Sequence, residues 1–277
     1  MESEKFPVVM TIAGSDSGGG AGIQADLRTF SRLNVYGVSA VTAVTSQNPY
    51  DVQRVDVISA QSVQCQLKTI LEAFPVRFAK TGMLAKLEII ECVAAFAGEH
   101  NLELVVDPVM VSTSGVRLLE ESAIYAVKEL LLPLARWVTP NIPEAELICG
   151  KKIKSVSDLA DTAKILYENY GCNVILKGGH LAGMDKACDV VCCQGKLWLL
   201  SSNRIAVKGN TAHGTGCTFS AALTADLARQ ENWQSAVINA KAFVYGSLAE
   251  RVFLNETLYQ MFPPGKSYCN EISMTEY

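Results

Sequence analysis

The chain has 277 residues, 49% of them apolar and 19% charged, with a formal net charge of −4. That balance belongs to a folded chain able to bury a sizeable core, and it excludes a long disordered tail. No basic stripe of the kind that binds nucleic acid is present, so small molecules or a second copy of the chain are the expected partners.

From the N-terminus, VVMTIA (8–13) is an unbroken apolar run and predicts a buried strand. GSDSGGGAGIQADLRTF (14–30) follows as a glycine-rich turn and a helix beginning near Gly22. GVSAVTAVTS (37–46) predicts a second strand, and KLEIIECVAAFAGEH a helix whose Ile89, Ile90, Val93, Phe96 and Ala97 share a face. LELVVDP (102–108), RWVTPN (136–141) and NVILKGG (173–179) are short strand runs ended by Pro, Asn or Gly. Between the last two, SDLADTAKILYENYG predicts a helix with Ser157 as N-cap and Gly171 near its end. Residues 187–207 read as a meander of two or three strands turning at Gln194-Gly195. HGTGCTFSAALTADLA predicts a helix from near Cys217, SAVINAKAFVYGSLAERVF (235–253) another, and 263–277 a poorly ordered tail.

Strand and helix runs in alternation imply an α/β fold in three layers, a mostly parallel sheet covered on both faces with an antiparallel edge. No linker or repeat divides the chain, so one domain is expected. Nine cysteines, an odd number without framework or zinc-finger spacing, are expected to be reduced thiols in a cytoplasmic protein. The apolar run Val8–Ala13 is too short for a secretory segment, and no run approaches the ~20 residues of a membrane span.

Ligands of open parallel sheets sit beyond the carboxyl ends of the strands. The residues there are Gly14-Ser15-Asp16, Gln47-Asn48, Asp107, Asn141 with Glu144, and Lys177. Any one of them is readily a turn former or cap; strand after strand delivering a polar group to one rim points to a site. The glycine loop is neither a Walker loop, since no Gly-Lys-Ser/Thr follows, nor a clean G-x-G-x-x-G. Asp26, on the helix after it, either faces solvent or returns to the rim. Gly214, Thr215 and Gly216 precede Cys217 at a helix start, where unpaired N–H groups and the helix dipole form an anion hole. A thiol there is expected to be shifted toward the thiolate, able to take a proton from an alcohol. The alternative is a packed small residue at a helix start.

Seven stretches in order carry a further signal: TIAGSDSGGGAGIQADLRTF, TAVTSQN, GML (82–84), DPVMVSTSG (107–115), TPNIPEAE (139–146), LKGGH (176–180) and HGTGCTFSAA (213–222). Together they resemble the hydroxymethylpyrimidine/phosphomethylpyrimidine kinases of thiamine biosynthesis, within the ribokinase-like superfamily. The resemblance runs from about residue 8 to residue 250 and implies a ribokinase-like fold with a reduced lid. It implies an enzyme using ATP and Mg2+ to phosphorylate 4-amino-5-hydroxymethyl-2-methylpyrimidine and then its monophosphate. By the same resemblance Cys217 is the catalytic base and Gly214, Thr215 and Gly216 the anion hole. Gln47 pairs with the pyrimidine edge, and Gly14, Asp26, Met83 and Val109 line its pocket. Asp107 and Glu144 lie near the phosphates and metal, Asn141 and Lys177 beside the nucleotide. A homodimer is compatible with it.

Two departures stand out. Pro49-Tyr50-Asp51 follows Gln47-Asn48 where the family has Thr-x-Gly, and Thr81 replaces a common aliphatic residue. His180 and His213 belong to motifs and are read as braces of their loops. A vitamin B6 (pyridoxal or pyridoxine) kinase is the nearest rival, a non-catalytic small-molecule sensor the next. A dinucleotide oxidoreductase is disfavoured by the missing glycine fingerprint.

Overall fold

A computed structural model describes residues 6–111, 119–179, 181, 185–207, 212–229 and 232–277; His180 and residues 112–115 of the DPVMVSTSG stretch lie outside them. In chain order the elements are β1 (Val8–Asp16), α1 (Gly22–Arg32), β2 (Tyr36–Gln47), β3 (Val52–Val57), α2 (Ala60–Ala73), β4 (Phe78–Thr81) and α3 (Leu87–Glu99). Then come β5 (Glu103–Val106), α4 (Glu121–Ala126), β6 (Ala135–Val138), α5 (Ile142–Cys149), α6 (Val156–Tyr170) and β7 (Asn173–Lys177). The remainder is β8 (Lys186–Cys193), β9 (Lys196–Asn203), α7 (Thr215–Arg229), α8 (Trp233–Ala249), β10 (Val252–Asn255), β11 (Leu258–Gln260) and β12 (Ser273–Glu276).

Ten strands form one sheet in the order β12-β9-β8-β7-β6-β5-β4-β1-β2-β3. The six from β7 to β2 are parallel; β3 on one side and β8, β9 and β12 on the other run antiparallel to their neighbours. The expected α/β fold with a mostly parallel sheet is thus present, with antiparallel pairing at both edges. Side chains alternate across it with the period of two that a strand imposes. Val105, Trp137 and Ile175 pack toward α1, α7 and α8; Leu104, Val106 and Val138 pack toward α2 through α6. Burying each such side chain contributes roughly 1.5–3 kcal/mol, which is why these strands read as continuous apolar runs.

The crossover from β1 goes one way to β2, and that from β4 goes the other way to β5. The crevice between β1 and β4 is therefore the switch point where an open sheet receives ligands. Gln194 (φ 53°) and Gly195 (φ 75°) make the β8–β9 hairpin as expected. Other details differ from the sequence reading. The N-cap of α6 is Ser155, not Ser157, because Asp158 three residues on completes a capping box with it. The segment 263–277, expected to be a poorly ordered tail, ends in β12, whose Ser273–Glu276 pair with β9. Ile272 and Met274 of that segment pack on the α7–α8 side, which is what holds it. β3 and β4 escaped the sequence reading. No helix of the described residues is long and apolar enough to cross a membrane.

Candidate active site

The site is assembled where α7 begins. Gly214 caps this helix: its carbonyl accepts the Thr218 N–H at 2.9 Å. Gly214 has φ +85°, and its backbone packs so tightly on the Gly20 carbonyl that a Cβ would collide with it. The loop at Gly214 and the glycine loop after β1 are thus in contact, backbone to backbone. The Thr215 N–H is turned back to Ala212 O (3.3 Å), which leaves the N–H groups of Gly216 and Cys217 without an intrahelical acceptor.

Asp107, just beyond β5, and Lys177, the last residue of β7, meet here. Lys177 Nζ lies 3.0 Å from Asp107 Oδ1, and a Cβ on Gly216 would stand 3.2 Å from that ammonium and 3.5 Å from Asp107 Oδ2. Thr139 and Ser220 hydroxyls donate to the same carboxylate at 3.3 and 3.4 Å. Burial opposes the charge on Lys177, but Asp107 and Glu144 outweigh it and raise its pKa. Asn141 and Glu144 form a capping box on α5: Asn141 Oδ1 accepts the Glu144 N–H at 2.9 Å, and Glu144 accepts the Asn141 N–H at 2.8 Å. Burial pushes Glu144 up to about 8, Lys177 opposing and the charge of Asp107 adding. Two buried carboxylates beside one lysine are short of positive charge only when both are ionised, so a bound cation would favour the ionised form of Glu144.

On the other flank, Gly14 is buried against Met83, whose carbonyl accepts the Thr42 hydroxyl at 2.6 Å. Gln47 ends β2, its backbone clamped by Ser17 through bonds of 2.7 and 2.8 Å. Val109 is half-buried after β5, its N–H turned back to the Asp107 carbonyl. Asp26 neither faces solvent nor stands free on the rim. It is fully buried, with Lys80 Nζ 2.9 Å from both carboxylate oxygens and the Thr11 hydroxyl 2.6 Å from one. Burial raises the Asp26 carboxyl against the pull of Lys80. Burial also opposes the charge on Lys80, but Asp26 outweighs it and raises that pKa, so the proton stays on the ammonium. Sequence reasoning missed Lys80: it sits in a four-residue strand, and only the fold brings it to Asp26 across 54 positions.

Cys217 is partly exposed in the first turn of α7. Its ionisation runs against expectation. Burial pushes the thiol up to about 11, with Lys80 and a hydrogen bond from the Gly22 backbone opposing and Asp26 and Asp107 adding. A helix N-terminus supplies about 0.3–1 kcal/mol, under one pKa unit, which desolvation exceeds. The resting residue is a thiol.

The comparisons with known proteins bear on the family and the fold. The family model described as phosphomethylpyrimidine kinase matches residues 16–261. The hydroxymethylpyrimidine/phosphomethylpyrimidine kinase of Haemophilus influenzae is 47% identical over 87% of this chain and 90% of its own. Among solved structures, phosphomethylpyrimidine kinase from Clostridium difficile 630 superposes with a TM-score of 0.77 at 38% identity, over 87% of this chain and 98% of its own. Pyridoxal kinase from Staphylococcus aureus in complex with ADP superposes with a TM-score of 0.89 at 34% identity, over 99% of this chain and 100% of its own. The ribokinase-like sheet, the rim of charges at the start of α7 and these matches have one common reading: the chain belongs to the phosphomethylpyrimidine kinase family.

Proposed function

We propose that the chain is a kinase of thiamine biosynthesis that transfers the terminal phosphoryl group of ATP to 4-amino-5-hydroxymethyl-2-methylpyrimidine, and then to its monophosphate. The observation that carries this reading is the meeting of Gly216, Lys177 and Asp107 within contact distance at the start of α7. Phosphoryl transfer asks for little beyond positioning and neutralisation of charge on the migrating group. The N–H groups of Gly216 and Cys217, which have no intrahelical acceptor, and the Lys177 ammonium beside Gly216 supply the donors in this reading. Asn141 and Lys177 flank the nucleotide phosphates in this reading, and Gln47, Gly14, Met83 and Val109 hold the pyrimidine. Asp26 acts there through Lys80, whose ammonium lies 3.1 Å from where a Cβ on Gly82 would stand, next to Met83.

Asp107 and Glu144 suit Mg2+, which is held by one or two carboxylates together with phosphate oxygens and water. When bound, the ion neutralises phosphate charge. Asp107, paired with Lys177, and Glu144, held on the α5 N-terminus, are the carboxylates that would hold it. Cys217 accepts the proton of the substrate hydroxymethyl group. Its high resting pKa makes the thiolate scarce at neutral pH, and the charge of Lys80 favours it most.

A second reading has its own support. The superposition on the pyridoxal kinase spans 99% of the chain, against 87% for the phosphomethylpyrimidine kinase. We therefore include phosphorylation of pyridoxal as a second activity. An ADP-release assay on the pyrimidine alcohol, its monophosphate and pyridoxal tests both. The first two should turn over with the higher kcat/KM. Turnover of pyridoxal alone would reverse the order of the two readings, and binding without ADP release would leave a sensor.

A further inference from the structure

Gln47 touches a histidine to which no chemistry has been assigned. His213 Nε2 lies 3.1 Å from Gln47 Nε2 and 3.2 Å from Asp16 Oδ2; a half-turn of the amide exchanges its nitrogen and oxygen without moving any other atom. The other amide terminus is 3.2 Å from Thr45 Oγ1, which is also 3.0 Å from the Ser15 carbonyl oxygen.

Counting protons decides how these four groups pair. Asp16 accepts the Gly18 N–H on Oδ1 and the Ala21 N–H on Oδ2, each at 2.9 Å. Burial alone would raise its carboxyl, but the bonds from His213, Ala21 and Gly18 hold it below the ordinary range. An ionised carboxylate only accepts, so His213 Nε2 carries a proton, and an Nε2–H cannot also accept from an amide N–H. Thr45 has one hydroxyl proton. Given to the Ser15 carbonyl, it leaves a lone pair toward Gln47. The single Nε2–H is then shared between Asp16 and the amide, and both neighbours call for the amide turned by a half-turn from that placement, with the oxygen toward His213 and the NH2 toward Thr45. Each terminus keeps one further position for a ligand, a lone pair on the oxygen and an N–H on the nitrogen.

We propose that His213, held by Asp16, is a positioning residue that fixes the orientation of the Gln47 amide and so sets which heterocycle the pocket prefers. This rests on the reading of Gln47 as the group that faces the substrate ring. A 4-aminopyrimidine presents a donor, its exocyclic amine, beside an acceptor, its ring nitrogen. It pairs both with an amide in one order only. A ring hydroxyl, such as that of pyridoxal, both donates and accepts and is indifferent to the order. His213 directly precedes Gly214, so the group that orients the reader and the loop that receives the phosphoryl group are one piece of chain.

The test has two arms. Long-range proton–nitrogen NMR on the 15N-labelled protein at pH 8 reports which nitrogen of each neutral histidine carries the proton. The chain has three histidines, and loss of one signal in His213→Gln identifies His213. The Nε2–H tautomer is expected; the Nδ1–H tautomer would overturn the proposal. In the second arm, His213→Leu should lower the kcat/KM ratio of the pyrimidine alcohol over pyridoxal about three- to tenfold, the worth of one hydrogen bond. His213→Gln, which carries an amide N–H to the same reach, should restore it. An unchanged ratio, or an equal loss on both substrates, overturns the proposal. A wild-type protein inactive on the pyrimidine would instead sink the assigned activity, and the tautomer alone would then decide the role of His213.

Discussion

Gly214→Ala places a methyl group against the carbonyl oxygen of Gly20, where backbone meets backbone and no flexible side chain can swing aside. Two costs add. Holding alanine at φ +85° takes about 1–2 kcal/mol. Relieving the collision takes about 1–3 kcal/mol more, the usual range for overpacking. Gly150→Ala is the internal control: Gly150 has φ +69° at the end of α5 but nothing within 4 Å of a Cβ, so it bears only the first cost. Urea unfolding should therefore show Gly214→Ala less stable than Gly150→Ala by about 1–3 kcal/mol. Turnover should separate them further, because relief moves the Gly216 and Cys217 N–H groups, and a 1 Å misplacement costs as much as ~10²-fold. Equal stability and equal kcat in the two variants would refute the claim that the contact of the two loops sets the site.

If Cys217 is the base, kcat should rise roughly tenfold per pH unit from pH 7 toward its pKa of about 11, and Cys217→Ala should lose ~10²–10⁴ in kcat. A flat wild-type profile would exclude that role. Folding raises the Glu144 carboxyl from 4.5 to about 8, so its stabilising proton is fully held below pH 4.5 and lost as the pH climbs toward 8. Glu144→Gln should accordingly gain on wild type between pH 5 and pH 8 by up to roughly 1.4 kcal/mol per unit, as urea midpoints will show; a wild type that gains instead contradicts the shift. Lys80→Met strands the buried Asp26 charge and should cost about 3–5 kcal/mol, most of it recovered in Lys80→Met/Asp26→Leu. A wild-type urea midpoint for the single variant would show the pair to be dispensable.

What the sequence made legible follows from distance along the chain. The apolar strands, the Gln194-Gly195 hairpin and the Gly171 helix end are local features, and each was readable from a few neighbours. The rim residues Asp107, Asn141, Glu144 and Lys177 were readable because every parallel strand ends on the same side. The capping box pairing Asn141 with Glu144 was also open to a local reading, as an N-x-x-E pattern before an apolar run. Lys80 was not: a lysine in a four-residue strand looks like a solvated break until Asp26 is seen beneath it. β12 was lost for a similar reason, since its burial comes from β9 and the α7–α8 layer rather than from its own apolar content. The ionisation of Cys217 differs from the sequence expectation because the helix start is visible in sequence, whereas the desolvation of the thiol and the Asp26 and Asp107 charges come from distant segments.

The seam between Gly20 and Gly214 joins two loops separated by most of the chain. Trp137, at the centre of the sheet, packs on α7 and α8, which follow the seam in the chain, with the Trp233 ring 5.8 Å away. Loop-closure entropy makes the joining of remote segments a slow event in refolding. Recovery of catalysis after dilution from denaturant should then never run ahead of the burial of tryptophan, so that turnover serves as a clock for the final step of assembly.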